Sequence, residues 1–521
     1  MHSSIRFPAP SLAALVLLAL ILIPGALPAQ SSEVARAAAS ITEEDFYNRV
    51  EVIAHDSMMG RDTPSPGLDK TARWVGDEFR RFGLKPGGDD GSFLQEYVIQ
   101  MVAPDLENSV IRVSGGGELA FGRDVIAALG TPAEEEVAGG VVLLAGGALP
   151  EGIGEEEMRG RHLILLLPED TAGQSRRAQM QMLNDIVAAE PVSIMLVNRQ
   201  SDADWNQAAA LQGQRTQPRT PWESGTRAFP TILSVRESSL ARLLEARSME
   251  VPSLPKDPEE PATFVQVPGL ELTIAARSRV IQELRAPNTV GILEGSDPTL
   301  KDEYVVFSGH MDHVGVGRPN EAGDSIYNGA DDDASGTVAV VELAEAFAML
   351  DPAPRRSIVF LTVSGEEKGL WGSAYFANYP TVPVESMVAD INADMIARNW
   401  PDSIVVIGKE HSDLGATLDE VATAHPELNM VPMDDIWPEE NFYGRSDHFN
   451  FARKGIPILF FFNGTHDDYH RPSDELGKIN AEKASRITKL MFYLGLEVAN
   501  APRRPQWDPE HYAEIVGGGG S

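Results

Sequence analysis

Val305-Val306-Phe307-Ser308-Gly309-His310-Met311-Asp312-His313 is a continuous apolar run that ends in a glycine and a cluster of ligand-capable side chains. An uninterrupted β-branched run is what a strand buried on both faces requires, and a polar cluster at its end is where open α/β sheets bind their ligands. Ile358-Val359-Phe360-Leu361-Thr362-Val363 and Ile456-Pro457-Ile458-Leu459-Phe460-Phe461-Phe462 repeat the pattern, and Val338 to Leu350 has the spacing of an amphipathic helix. Strands alternating with helices from Asn288 onward predict an α/β domain.

Upstream, Ile41 to Phe82 has helical periodicity and contains Met59-Gly60-Arg61, and Pro86 to Gly91 reads as a turn. Leu94 to Val102 and Ser109 to Val113 read as strands. From about Leu119 to Val267 the texture changes. Apolar runs at Val141-Leu144, Leu163-Leu167 and Ser193-Val197 alternate with polar stretches, no cluster of metal ligands appears, and Asp202 to Thr220 reads as a surface loop. This predicts an inserted, non-catalytic domain at 119–267. The expected order is a leader at 1–29, catalytic segments at 30–118 and 268–505, and a flexible tail at 506–521.

Four further clusters follow strand-like runs. Asn328-Gly329-Ala330-Asp331-Asp332-Asp333-Ala334-Ser335-Gly336 puts three adjacent carboxylates before a helix. Such a triplet is either a solvated cap or part of a metal site, and the flanking glycines favour close backbone approach. In Ser364-Gly365-Glu366-Glu367-Lys368-Gly369 the paired glutamates suit a division between a metal ligand and a proton carrier. Ile391-Asn392-Ala393-Asp394-Met395 adds an aspartate at a strand end, and Asp468-Tyr469-His470-Arg471-Pro472-Ser473-Asp474, preceded by Gly444-Arg445-Ser446-Asp447-His448, adds a second histidine. In the His-x-Asp unit an imidazole can bind metal while the carboxylate orients it.

The ordered set Gly-His-x-Asp, Gly-Ala-Asp-Asp-Asp-Ala-Ser-Gly, Gly-Glu-Glu-x-Gly-Leu-x-Gly-Ser, Asp-Met, Ser-Asp-His and Tyr-His-x-Pro-x-Asp resembles the M28 family of zinc peptidases over about Asn288 to Val498. The resemblance implies a mixed, mostly parallel central sheet flanked by helices, the zinc exopeptidase fold, with an insertion that looks like a protease-associated domain. It implies two zinc ions per chain, one held by His310 and Asp394, the other by Glu367 and His470, with Asp332 bridging. Glu366 would be the general base and Asp312 the partner orienting His310. Tyr443, three residues before Ser446, falls where some aminopeptidases of the family have a tyrosine that donates to the reacting carbonyl. His313 and His448 would be structural. The implied activity is aminopeptidase cleavage of peptides; a carboxypeptidase or aminoacylase would use the same metals, and a glutaminyl-cyclase-like transferase is a single-zinc variation. A serine hydrolase needs a nucleophile elbow, and Ser335 lacks that frame.

The 521 residues carry 43 Lys plus Arg against 77 Asp plus Glu, a formal charge of −34 that repels nucleic acid and anionic membrane surfaces. Cysteine is absent, which excludes disulfides and thiolate ligands and leaves zinc only His and carboxylate donors. Arg6, the apolar run Leu12 to Ile23 and Ala29 form a signal-peptide pattern, predicting export to the periplasm or beyond with no stable membrane association afterwards.

Overall fold

The computed structural model describes residues 26–129, 136–150, 152–168, 182–212, 215–222, 230–255 and 260–517. Nearly all of the expected leader and the last four residues lie outside them. Among the described residues no helix is long and apolar enough to cross a membrane. The chain forms two compact units, one from the residues up to Gln95 together with Pro287–Tyr512, the other from Glu96–Ala286.

The first unit is a mixed sheet covered by helices. Strand Tyr304–His310 pairs in parallel with Ser357–Val363 on one side and Met387–Asp394 on the other. Ile458–Phe462 continues the parallel set beyond Met387–Asp394, and antiparallel neighbours close both flanks, Ser403–Ile407 on one and the end of Thr263–Leu293 on the other. Register aligns the strand ends: His310 lies opposite Val363, and Asp394 opposite Phe462. Every ligand-bearing loop therefore leaves the sheet at one level.

Helix Ala334–Ala348 is buried nearly all round, in contrast to the amphipathic helix its sequence suggests, because the sheet and helices Ala481–Asn500 and Glu43–Ile53 pack around it. Phe307, Phe347, Phe360 and Phe492 form an aromatic centre, with Phe347 and Phe492 centroids 4.7 Å apart. A Cβ on Gly495 would stand 2.2 Å from the Phe307 ring, so only glycine lets helix Ala481–Asn500 approach. Thr42 caps Glu43–Ile53, and Ser65 caps Pro66–Arg81 with Pro66 in its first turn.

In the second unit Val137–Ala145, His162–Leu166, Ser193–Asn198 and Thr231–Arg236 run parallel in that order. Alternate residues divide between two cores: Val141, Leu143 and Ile164 on one face, Val142, Leu144 and Leu163 on the other. The unit starts earlier and ends later than the expected 119–267. The turn at Ser114–Gly117 joins antiparallel strands Leu94–Val113 and Glu118–Ala120, so the change of texture marks a hairpin inside the unit rather than its boundary. The expected surface loop from Asp202 holds helix Asp202–Gln212, anchored by the fully buried Trp205, whose indole donates to the Gly122 carbonyl at 2.9 Å. The start of the expected flexible tail is tied down: Trp507 donates to the Gly455 carbonyl at 2.9 Å, and Asp508 N–H to the His411 carbonyl at 2.8 Å.

Candidate metal centre

The acidic triplet shows how three adjacent carboxylates are buried without collapse. Asp333 accepts from the backbone N–H groups of His310, Gly336 and Met395 at 3.1, 2.8 and 3.1 Å, tying two strand ends to a helix start. Asp331 accepts from Ala397 N–H at 2.7 Å. Those two brace the loops, although Asp331 Oδ2 also lies 3.2 Å from His466 Nε2, and Asp332 is the member that reaches His310, His313 and His470. Added Cβ atoms would meet Ala393 O at 2.2 Å from Gly336 and Asp332 O at 2.1 Å from Gly329, the close approach the flanking glycines suggested.

Asp332 stands between two groups. Its Oδ1 is 3.4 Å from His310 Nε2, which is 3.6 Å from Asp394 Oδ1. Its Oδ2 is 3.2 Å from His470 Nε2, which is 3.0 Å from Glu367 Oε2. His313 Nδ1 joins the second group, 2.8 Å from Glu367 Oε1 and 3.6 Å from Asp332 Oδ2. Asp332 Oδ2, Glu367 Oε1, His470 Nε2 and both His313 nitrogens are buried with no hydrogen-bond partner among the described residues. Such atoms are costly to bury unless something else satisfies them, and imidazole and carboxylate donors converging within metal-ligand reach fit divalent cations. Ser446 Oγ donates to Asp394 Oδ2 at 2.8 Å and fixes its orientation. His470 and Met395 adopt left-handed φ values of 53° and 57°, strained conformations concentrated at the site.

Asp312 acts partly as expected. The His310 Nδ1 edge lies 3.2 Å from the Asp312 carbonyl and 3.7 Å from its carboxylate, turning Nε2 toward Asp332. The carboxylate itself takes Thr63 Oγ1 at 2.9 Å and Glu366 N–H at 3.2 Å, positioning the loop that carries both glutamates. Burial, with the fields of Asp447, Asp394 and Glu367 added, raises the Glu366 carboxyl well above the usual range despite nearby His310. Burial also works against ionising Asp332, yet His313, His310 and His470 outweigh it and hold that carboxyl well below its ordinary value. For His470 burial lowers the imidazole, and contacts with Asp332 and Glu367 reverse this to about 10. Without a cation, protons on the imidazoles offset the carboxylates, so metal binding displaces protons.

Arg61, completely buried, is the clamp beneath the site. Its guanidinium donates to the carbonyls of Met311 at 2.9 Å, Ile53 at 3.1 Å, Asn328 at 2.6 Å and Gly329 at 2.9 Å. One planar fork thus joins the His310 loop to the Asp332 loop, which explains the Met59-Gly60-Arg61 landmark.

The structure brings His310, Asp332, Glu366, Glu367, Asp394 and His470 together, with Asp312 behind His310. Tyr443 is the exception. Its ring packs against His411 and His448, with centroids 4.4 and 5.5 Å away, and its buried hydroxyl has no hydrogen-bond partner among the described residues. In the turn after Asn441 it is Phe442 that lines the cavity and Tyr443 does not. Tyr469 lines that cavity with Phe442, Arg445, Phe460 and Phe462, and stacks on His470 at 3.9 Å. The signal for Tyr469 was its position directly before His470. His313 was also misread as purely structural; its place in a His-x-Asp-His run was the available cue. His448 is stacked on Phe460 at 4.3 Å and hydrogen-bonded to the Tyr443 carbonyl at 2.7 Å.

A buried α/β sheet with a two-part His and carboxylate centre at its strand ends defines a metallohydrolase-type scaffold. Residues 288–495 match Peptidase family M28. A probable zinc metalloprotease of Pyricularia oryzae is 42% identical over 136 residues, 26% of this chain and 25% of that protein. A probable glutamate carboxypeptidase of Arthroderma benhamiae is 31% identical over 228 residues, 39% of this chain and 29% of that protein. Leucine aminopeptidase 1 of Penicillium rubens is 26% identical over 221 residues, 39% of this chain and 55% of that protein. The chain therefore spans between a quarter and about half the length of these relatives.

Arg61→Lys keeps the charge but loses the fork. It should weaken retention of divalent metal about tenfold or more in competition with a chelator, a size typical of residues that orient metal ligands. Unchanged retention would show that the clamp does not support the centre.

Proposed function

We propose that this chain is a zinc-dependent exopeptidase that removes N-terminal residues from peptides, with Glu366 as general base. The observation that carries the reading is the convergence of His310, Asp394, His470 and Glu367 on the two oxygens of Asp332, with Glu366 lining the same cavity. His310, Asp332 and Asp394 would hold one zinc and Asp332, Glu367 and His470 the other, on the distances between them; Asp333 stands in reach of the first group and His313 of the second. Bound zinc supplies Lewis-acid polarisation of a carbonyl and acidification of water.

The remaining work falls to side chains. Glu366, whose proton affinity burial raises, would in its carboxylate form accept a proton from the attacking water and return it to the leaving amine. The Tyr469 hydroxyl, in the field of Asp332, Glu367, Asp394 and Glu366, is raised by burial and stays protonated as a donor to oxyanion charge. Phe442, Phe460 and Phe462 wall the cavity and exclude water beside the reacting bond.

Similarity to a leucine aminopeptidase supports cleavage at the N-terminus. Similarity to a probable glutamate carboxypeptidase favours a second reading, a carboxypeptidase or aminoacylase on the same centre. The signal-peptide pattern supports export to the periplasm or beyond. The second unit, with no metal-ligand cluster among its described residues, suits a protease-associated insertion.

Aminoacyl p-nitroanilides should be cleaved while their N-acetylated counterparts are not, with activity lost to chelation and restored by zinc; cleavage of blocked peptides alone would favour the carboxypeptidase. Glu366→Gln should keep its zinc and lose about 10²-fold or more in kcat, and full turnover would remove it from the mechanism. Tyr469→Phe should lower kcat by about 10²-fold, the scale for losing an oxyanion donor, with Tyr443→Phe close to wild type. The reverse ranking would restore Tyr443.

A further inference from the structure

Cations near the metal centre are committed to partners. Lys368 pairs with Asp62 at 2.7 Å, Arg398 with Asp468 at 2.9 Å, and Arg61 holds four backbone carbonyls. Arg445 differs. It lines the cavity with Asp332, Glu366 and Asp394, yet its guanidinium has no ion pair or side-chain hydrogen bond among the described residues. It carries the cavity lining's one permanent positive charge among the described residues, and it is exposed to an entering ligand.

Its place is nonetheless built. Arg445 N–H donates to the Phe442 carbonyl at 3.0 Å, and Gly444 N–H to the Asn441 carbonyl at 3.2 Å, closing a turn in which Asn441 has a φ of 50°. The guanidinium carbon lies 4.7 Å over the Phe442 ring. That stacking holds one face of the fork and leaves its N–H edges available. Ser446, the next residue, is fixed on Asp394, so the turn is tied to a metal-ligand loop. Phe442 in turn packs on Phe462 with centroids 4.9 Å apart, which anchors the stacking ring in the aromatic wall. The cavity consequently has carboxylates at one end, an aromatic wall and a free guanidinium.

We propose that Arg445 recognises a carboxylate carried by the substrate, through charge-assisted and preferably bidentate hydrogen bonds. This rests on the exopeptidase reading and refines it. The carboxylate has two chemical sources, the C-terminus of a short peptide or the acidic side chain of the residue being released. In both cases the group anchored is remote from the reacting bond, so its loss appears in KM more than in kcat.

Two substrate pairs separate the sources on zinc-loaded, full-length protein: leucyl-leucine against leucyl-leucinamide, and glutamyl against glutaminyl p-nitroanilide. The wild type should show a KM about tenfold lower for the carboxylate member of one pair, the scale of one charge-assisted contact, and that advantage should shrink with added salt. Arg445→Met should erase the difference by raising KM for the carboxylate member, and Arg445→Lys should restore part of it. Arg453→Met, an equal charge change outside the cavity lining, should leave the difference intact. Equal KM values within both pairs in the wild type, or a preference that survives Arg445→Met, would overturn the assignment even with good hydrolysis of the neutral substrates. Failure to cleave any of the four would overturn the peptidase reading, and this role with it.

Discussion

Asp332, Glu366 and Asp394 line one cavity with Glu367 next to them, and their mutual repulsion in a medium of low dielectric is the constraint around which the first unit is organised. Such a cluster is tolerated only with compensating positive charge. Histidines 310 and 470, whose proton affinity the neighbouring carboxylates raise, supply part of it as imidazolium, and the orphaned ligand atoms of the cluster suit cations for the rest. Asp331 and Asp333 escape the same penalty by a different route. Backbone N–H groups take up the Asp333 oxygens and one oxygen of Asp331, and the other Asp331 oxygen lies 3.2 Å from His466 Nε2.

Precision at the centre comes from the backbone that carries it. The parallel register levels the strand ends, glycines 329 and 336 allow main chains to meet where any Cβ would collide, and Arg61 joins two of the loops from beneath. Each device fixes a carbonyl or amide rather than a ligand directly. Ligand geometry is therefore inherited from the sheet, and the aromatic core of Phe307, Phe347, Phe360 and Phe492 behind that sheet contributes to function through rigidity.

Much of this was legible in sequence because the chemistry demanded rare local combinations. The buried runs before His310 and after Arg356 carry their own burial signature, and the glycines flanking the acidic triplet announced close approach. Asp332 could be separated from its neighbours only through the family's spacing. Orientation was not legible where a turn decides it: Phe442 and Tyr443 are adjacent aromatics, and nothing in their types tells which faces the cavity. His313 was hidden for a similar reason, since an imidazole one residue beyond the orienting Asp312 reads equally well as core. The edges of the second unit were misjudged because a hairpin turn and a domain boundary share the same glycine-rich texture, and helix Asp202–Gln212 was missed because a single buried tryptophan rather than a periodic face anchors it.

The account stands on the claim that the Asp332 cavity is a paired cation site. Native mass spectrometry of the full-length protein, exchanged into volatile buffer after incubation with zinc, counts bound ions directly. Two retained zinc ions on the folded chain, both absent after chelation, are the predicted result. A mass equal to the bare chain, or a single ion whose retention is indifferent to Asp332→Ala, would contradict it.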